Sequence, residues 1–333
     1  MFAATIAITA LALIFAFTNG FHDAANSIAT SVSTRALTPR VALGLAAVMN
    51  LLGAMLGTEV AQTIGSGIIR VEAATGLAGL LTVLGGLVGA IVWNLITWWL
   101  GLPSSSTHAL IGGLAGAGLG GGLTVHWETI VDKVLLPLLI SPVVGFLLAY
   151  LVMRLLLKLL AGFSYHRTMD NFRFLQTISA AAMALGHGLQ DAQKTMGVIA
   201  IGLFAGGMAS PDVAIPLWVK LVSALALALG TFAGGTRIIR TLGSGVIELD
   251  PARGFVAETV SASLLYTASL VFGAPISTTQ SISSSIMGVG ATRRFSDVRW
   301  RVVGRILLAW LLTLPAAGLI GAACTRLAAL VLL

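Results

Sequence analysis

Two aspartates, Asp23 and Asp191, stand inside apolar stretches of a 333-residue chain. An ionised carboxylate held away from water needs a cation, hydrogen-bond donors or a proton, so each marks a place where chemistry must occur. Both follow a glycine by three residues, in NGFHDAANSIAT at 19–30 and GHGLQDAQKTMG at 186–197. On a helix Asn26 shares the face of Asp23 and offers an amide to a ligand or ion. The same spacing in the second motif places Lys194 where the first has Asn26. Lys194 could neutralise Asp191 one turn away, bind an anion directly, or extend its ammonium to the interface. Gln190 and Gln193 add further donors nearby. His22 and His187 flank the two motifs and could hydrogen-bond or change charge near neutral pH.

Hydroxyls supply the complementary chemistry. Pro103 precedes Ser104, Ser105, Ser106 and Thr107, and Pro275 precedes Ser277, Thr278 and Thr279. A proline that stops one helix and opens the next leaves the hydroxyls at cap and first-turn positions, beside free N–H groups. Two such turns would form facing cradles for an anion or ion. His108 ends the first cluster and Gln280 the second, which points to a shared hydrogen-bonding role. Glu72, Glu128, Glu248 and Glu258 read as acids near segment ends, solvated or structurally paired. Cys324 is the single cysteine and sits among small and apolar residues, which suits burial and excludes an intramolecular disulfide. No metal-ligand spacing and no nucleophile-elbow context is present, so an enzyme and a resident cofactor are not expected.

Such residues need elements that carry them into an apolar phase. Only 9% of residues are charged and 57% are apolar, far from the surface of a water-soluble domain. The net charge of +7 would otherwise suggest a nucleic-acid partner; here it suits loops that fix membrane topology. Continuous runs rich in Ala, Leu and Gly predict helices, where a barrel would show short alternating segments. Approximate segments fall at 1–18, 20–34, 39–58, 75–100, 103–120, 133–158, 173–187, 189–206, 212–232, 255–273, 277–290 and 303–331. Residues 1–20 lack Lys and Arg and read as the first membrane segment in place of a cleaved signal. Breaks are expected at TNGFHD, GLPSSSTH, LGHGLQD and GAPISTTQ. Basic clusters at Arg35–Arg40, Arg154–Arg173 and Arg293–Arg305 predict cytoplasmic loops.

The chain also resembles itself. Asp23 and Asp191 are offset by 168 residues, PSSSTH and PISTTQ by 172, and GSGII at 65–69 and GSGVI at 243–247 by 178. Two structural repeats follow, 1–160 and 173–333, joined by a basic linker at 161–172. Interrupted segments in corresponding halves point to a transport site at the repeat interface.

With FTNGFHDAANSIAT at 17–30, PSSSTHALIGG at 103–113, GHGLQDAQKTMG at 186–197, PISTTQSISSSIMG at 275–288 and GVGATRRFSDVRW at 288–300, the chain resembles the inorganic phosphate transporter (phosphate permease) family over essentially its whole length. The resemblance implies an all-α polytopic protein of the cytoplasmic membrane of a prokaryote. It also implies two inverted-topology repeats with broken or re-entrant hairpins, commonly a homodimer, and import of phosphate by symport with sodium or protons. By the same analogy, substrate contacts fall to Asp23, Asn26, Gln190, Asp191, Lys194 and the hydroxyl clusters, with Asp23, Asn26 and Asp191 available to sodium. Gln190 stands where the family usually has asparagine and Gln280 where histidine is frequent, which bears on the coupling ion. A phosphate P–OH proton could be accepted by either aspartate, whereas sulfate has none at neutral pH, so contact with an aspartate favours phosphate over a sulfate permease. An anion channel without obligate coupling is the remaining alternative.

Overall fold

A computed structural model describes residues 1–67, 75–210, 214–234, 236–293 and 295–332. Glu72 and part of GSGII lie outside them. The helices are α1 (Phe2–Ser33), α2 (Pro39–Gly53), α3 (Glu59–Gly67), α4 (Gly76–Trp99), α5 (Ser106–Gly120), α6 (Trp127–Leu159), α7 (Tyr165–Ala205), α8 (Leu217–Ala233), α9 (Ile238–Gly245), α10 (Pro251–Val271), α11 (Thr278–Ala291) and α12 (Trp300–Leu332). Among the described residues, α1, α4, α6, α10 and α12 are each long and apolar enough to cross a bilayer. With 41 residues, α7 is about 60 Å long, twice the thickness of a hydrocarbon core. Its helix already starts at Tyr165, so much of the segment expected as a linker is helical.

The two expected breaks at the aspartate motifs do not exist. Helices α1 and α7 run unbroken through Gly20 and Gly188. Here glycine permits contact in place of bending: a Cβ on Gly20 would lie 2.2 Å from the Leu227 carbonyl oxygen of α8, and one on Gly188 2.2 Å from the Asn50 carbonyl oxygen of α2. The dipole ends anticipated at Asp23 and Asp191 are therefore absent. The breaks before α5 and α11 are real, and each turns at a glycine with positive φ, Gly101 at 65° and Gly273 at 57°. The expected segment 39–58 ends at Gly53, before the separate helix α3.

Helices of one half pack on those of the other. α1 lies on α8 as α7 lies on α2, and α5 lies on α12 as α11 lies on α6. Pro142 of α6 and Pro315 of α12 extend the pattern at an offset of 173. α1 and α7 run antiparallel along their whole length. Thr5 faces Gly206, Ile8 faces Gly202, Asn19 bonds Asp191 and Thr34 bonds Gln176. The last contact brings the loop after α1 to the start of α7, and a cavity lined by Tyr165, Arg253 and Arg293 joins the third basic cluster to that same face.

Apart from a small cluster of Ile28, Ala42, Ala46 and Ala184, the interior divides into two apolar clusters. One includes Phe15, Leu87, Leu110, Ala192 and Ile199; the other includes Ala29, Met183, Ile247, Val256 and Ile286. Each of α1 and α7 passes from one cluster to the other, and the residues between, from Asn19 to Ser27 and from His187 to Thr195, form a buried polar belt. Cys324 is free and half-buried on α12, more open than expected.

Candidate functional site

The first turns of α5 and α11 meet the belt at Asp23. Ser105 and Ser277 are N-caps in extended conformation, and their hydroxyls accept from the His108 and Gln280 N–H groups, each at 3.2 Å. These two serines are thus capping groups and do not reach the aspartates. The next residues do reach them. Ser106 Oγ donates to Asp23 Oδ2 at 2.9 Å, and Thr279 Oγ1 to Asp23 Oδ1 at 3.3 Å. Asn26 Nδ2 donates to the Thr279 and Thr278 hydroxyls at 2.9 and 3.3 Å. Thr107 Oγ1 donates to the Ile276 carbonyl at 3.2 Å, tying one hairpin to the other. Two helix N-termini, each with first-turn N–H groups lacking intrahelical partners, thus converge on one carboxylate and one amide.

His22 completes this half. Its Nδ1 lies 2.7 Å from Asp23 Oδ1, an acceptor, so Nδ1 carries the proton. Its Nε2 faces the Thr97 hydroxyl at 3.1 Å and the Ser104 hydroxyl at 3.4 Å, while Thr97 donates to the Trp93 and Asn94 carbonyls and Ser104 donates to Thr97. Ser104 therefore stands behind the histidine, away from the cradle.

The second half is built differently. Lys194 Nζ pairs with Asp191 Oδ1 at 2.7 Å and donates to Ser106 Oγ at 3.1 Å. The ammonium is wholly buried, so extension to the interface is excluded, and of the three expected roles neutralisation of Asp191 is the one observed. Because Ser106 in turn donates to Asp23, the order Asp191, Lys194, Ser106, Asp23 forms one polar chain across the repeats. Asn19 Nδ2 donates to Asp191 Oδ2 at 3.3 Å. Gln190 Nε2 donates to the Ala274 carbonyl at 3.0 Å, holding the loop before α11. Gln193 Oε1 accepts from the Val60 and Ala61 N–H groups and caps α3 from outside. Both glutamines thus serve backbone positioning.

The protonation pattern at His187 follows from its neighbours. Thr231 donates to the Leu227 carbonyl and so accepts from Asn50 Nδ2 at 2.8 Å. That fixes the Asn50 oxygen toward His187 Nδ1 at 3.1 Å, which must donate. A neutral His187 therefore presents the lone pair of Nε2 to Asp191 Oδ2, 3.1 Å away without hydrogen-bond alignment. Two acceptors so close require a proton or a cation. Asp23, His187 and Asp191 each offer a ligand atom, and these atoms lie within 4.8 Å of one another. At an effective dielectric constant of about 20, two carboxylate charges at that separation repel by about 3 kcal/mol. The oxygens Oδ1 of Asn19 and Asn26 are buried without partners and are free to face a cation.

His108 and Gln280 face elsewhere, into a cleft of about 790 Å³ between α6 and α12. A third buried carboxylate was read in the sequence only as one of several acids near segment ends. Glu258, expected near a segment end, is wholly buried in α10, where Thr30 Oγ1 and Ser179 Oγ donate to its two oxygens and Gln176 Nε2 to one of them at 3.4 Å. Its donors come from α1 and α7, more than 70 residues away along the chain, so no local spacing announces it. The absence of any other carboxylate within 259–292 was the only available hint.

The sequence and the fold find counterparts among known proteins. The sequence pattern of the phosphate transporter family matches residues 19–321. A protein of Rhizobium meliloti (strain 1021) named "probable low-affinity inorganic phosphate transporter" is 45% identical over 96% of this chain and 95% of its own length. One of the same name in Bacillus subtilis (strain 168) is 42% identical, with the same coverage of both chains. A solved structure titled "The sodium-dependent phosphate transporter" superposes with a TM-score of 0.90 over 99% of this chain and 100% of that one, at 27% identity. Its helices, its polar belt and the match over nine-tenths of its length make this chain a member of the phosphate transporter family, a multi-pass protein of the cell membrane.

Proposed function

We propose that the chain imports inorganic phosphate by symport with sodium or protons, through alternating access between two inverted-topology repeats. The observation that carries this is the convergence of the α5 and α11 N-termini on Asp23 and Asn26. First-turn N–H groups and the hydroxyls of Ser106, Thr107, Thr278 and Thr279 suit a tetrahedral oxyanion. Asp23 suits its P–OH proton, which distinguishes phosphate from sulfate. The substrate cradle thus draws on Asp23, Asn26 and the first-turn hydroxyls, while Lys194 and Asp191 supply the charge beside it. The coupling cation belongs among Asp23, Asp191, His187 and the open oxygens of Asn19 and Asn26. The relative titled sodium-dependent favours sodium as that ion.

Inversion is supported by the antiparallel course of α1 and α7, whose equivalent aspartates meet at mid-length. The repeats are proposed as 1–160 and, from the start of α7 at Tyr165 rather than at 173, 165–333. Carrier action in place of a channel is supported by burial: Asp23, Asn26, Ser106, Thr279, Asp191 and Lys194 are at most 1% exposed. Substrate must wait for one half to move against the other.

The test is uptake of labelled phosphate by liposomes containing the purified protein, with sodium and proton gradients imposed separately and sulfate as competitor. Uptake should collapse when the coupling gradient is removed and should resist sulfate. Equal uptake under every gradient would sink coupled transport, and uptake of sulfate without phosphate would sink the substrate.

A further inference from the structure

Lys194 occupies in the second repeat the position that Asn26 occupies in the first, at the common offset of 168. The exchange of an amide for an ammonium is the main chemical asymmetry of the belt. We propose that the Lys194 ammonium is a tethered stand-in for one coupling cation, so that each cycle carries one exchangeable cation fewer than a site with an amide there would carry. The proposal rests on the symport reading above.

Its position is that of a bound cation. Nζ touches a carboxylate oxygen of Asp191 at 2.7 Å and the Ser106 hydroxyl at 3.1 Å, and Ser106 touches Asp23. A monovalent ion placed between two aspartates would take the same kind of neighbours. Lysine has no route to leave: its side chain is 0% exposed and its stem is fixed in the middle of α7. An ion that cannot dissociate neutralises charge without being transported.

Lys194 then changes the charge balance of the belt by one. Asp23 and Asp191 together carry two negative charges, and Lys194 offsets one of them. The remaining charge falls where His187 Nε2 faces Asp191 Oδ2 and where Asn19 Oδ1 and Asn26 Oδ1 lack partners. With asparagine at 194, a second positive charge would have to come from solution.

Lys194→Asn tests this directly. In proteoliposomes of the full chain, the cation gradient that exactly balances an imposed phosphate gradient gives the number of cations per phosphate, measured with sodium and with protons at zero membrane potential. The variant should require one more cation than the natural chain, sodium or proton. Lys194→Arg, which keeps the charge, should retain the natural count. An unchanged count in a transporting Lys194→Asn variant, or a raised count in Lys194→Arg, overturns the proposal. Thermal stability in detergent against sodium concentration and pH gives a readout independent of transport. The Asn variant should be less stable than the natural chain in choline at neutral pH and regain stability with a steeper dependence on sodium or protons. A folded Asn variant whose cation dependence matches the natural chain also overturns it. Failure of the natural chain to move phosphate would instead sink the symport reading, and the stability titration would still decide whether Lys194 replaces a cation.

Discussion

Asp191 holds a buried ammonium, a buried imidazole and a buried amide, so its replacement acts on stability as well as on transport. Asp191→Asn leaves Lys194 as an uncompensated charge and should destabilise the protein by about 3–5 kcal/mol. Thermal unfolding in detergent would show this, and adding Lys194→Met should restore most of the loss while transport stays abolished. A single variant as stable as the natural chain would argue against the pair. Asp23 differs, being held by two hydroxyls and a histidine. At this scale the sequence was readable because charge is so scarce: an aspartate in an apolar run needs an explanation, and both aspartates found one. The serine clusters were readable only as clusters. Which hydroxyl caps and which one faces the carboxylate depends on where the helix starts, and that set Ser105 and Ser277 apart from Ser106 and Thr279. Glu258 was read only as one of several acids near segment ends because all its donors come from distant helices.

Glycine separates what the elements could and could not reveal in advance. The Gly-Pro junctions before α5 and α11 are breaks because proline stops a helix and a glycine with positive φ turns the chain. Gly20 and Gly188 looked alike in sequence, yet they sit in helix interiors and serve contact between helices. The distinction lies in the partner helix, which no local pattern displays. It predicts opposite outcomes for one kind of substitution. Gly188→Ala would push a methyl against the Asn50 backbone and should cost about 1–3 kcal/mol. Gly44→Ala, in a helix with nothing within 4 Å of the new Cβ, should be neutral or stabilising by up to about 1 kcal/mol. Thermal unfolding of the two variants side by side measures the contrast, and equal effects would remove the close-contact role of Gly188.

For the whole molecule, the antiparallel crossing of α1 and α7 and the shared face of the three basic clusters define one topology. Cysteines introduced at Thr38, Ser164 and Ser296, all exposed, should react with a membrane-impermeant maleimide only from the cytoplasmic side in a Cys324→Ser background. A cysteine at Met208, near the end of α7, should react only from the opposite side. Labelling of any one site from the wrong side would overturn the arrangement. The repeat was legible at this scale from offsets alone, but its inversion was not, because direction across a membrane leaves no trace in motif spacing.

A carrier made of two equivalent inverted halves would have inward-facing and outward-facing states that mirror one another and share one energy. The buried lysine belongs to only one half, so the mirror is imperfect and that degeneracy is lifted. Under the proposed alternating access the resting protein should favour one orientation, and half-saturating phosphate should differ between the two faces of the membrane. The final accumulation ratio is untouched, since it depends only on the gradients. In that cycle a buried charge in α7 would give kinetic direction to a scaffold built of two similar halves.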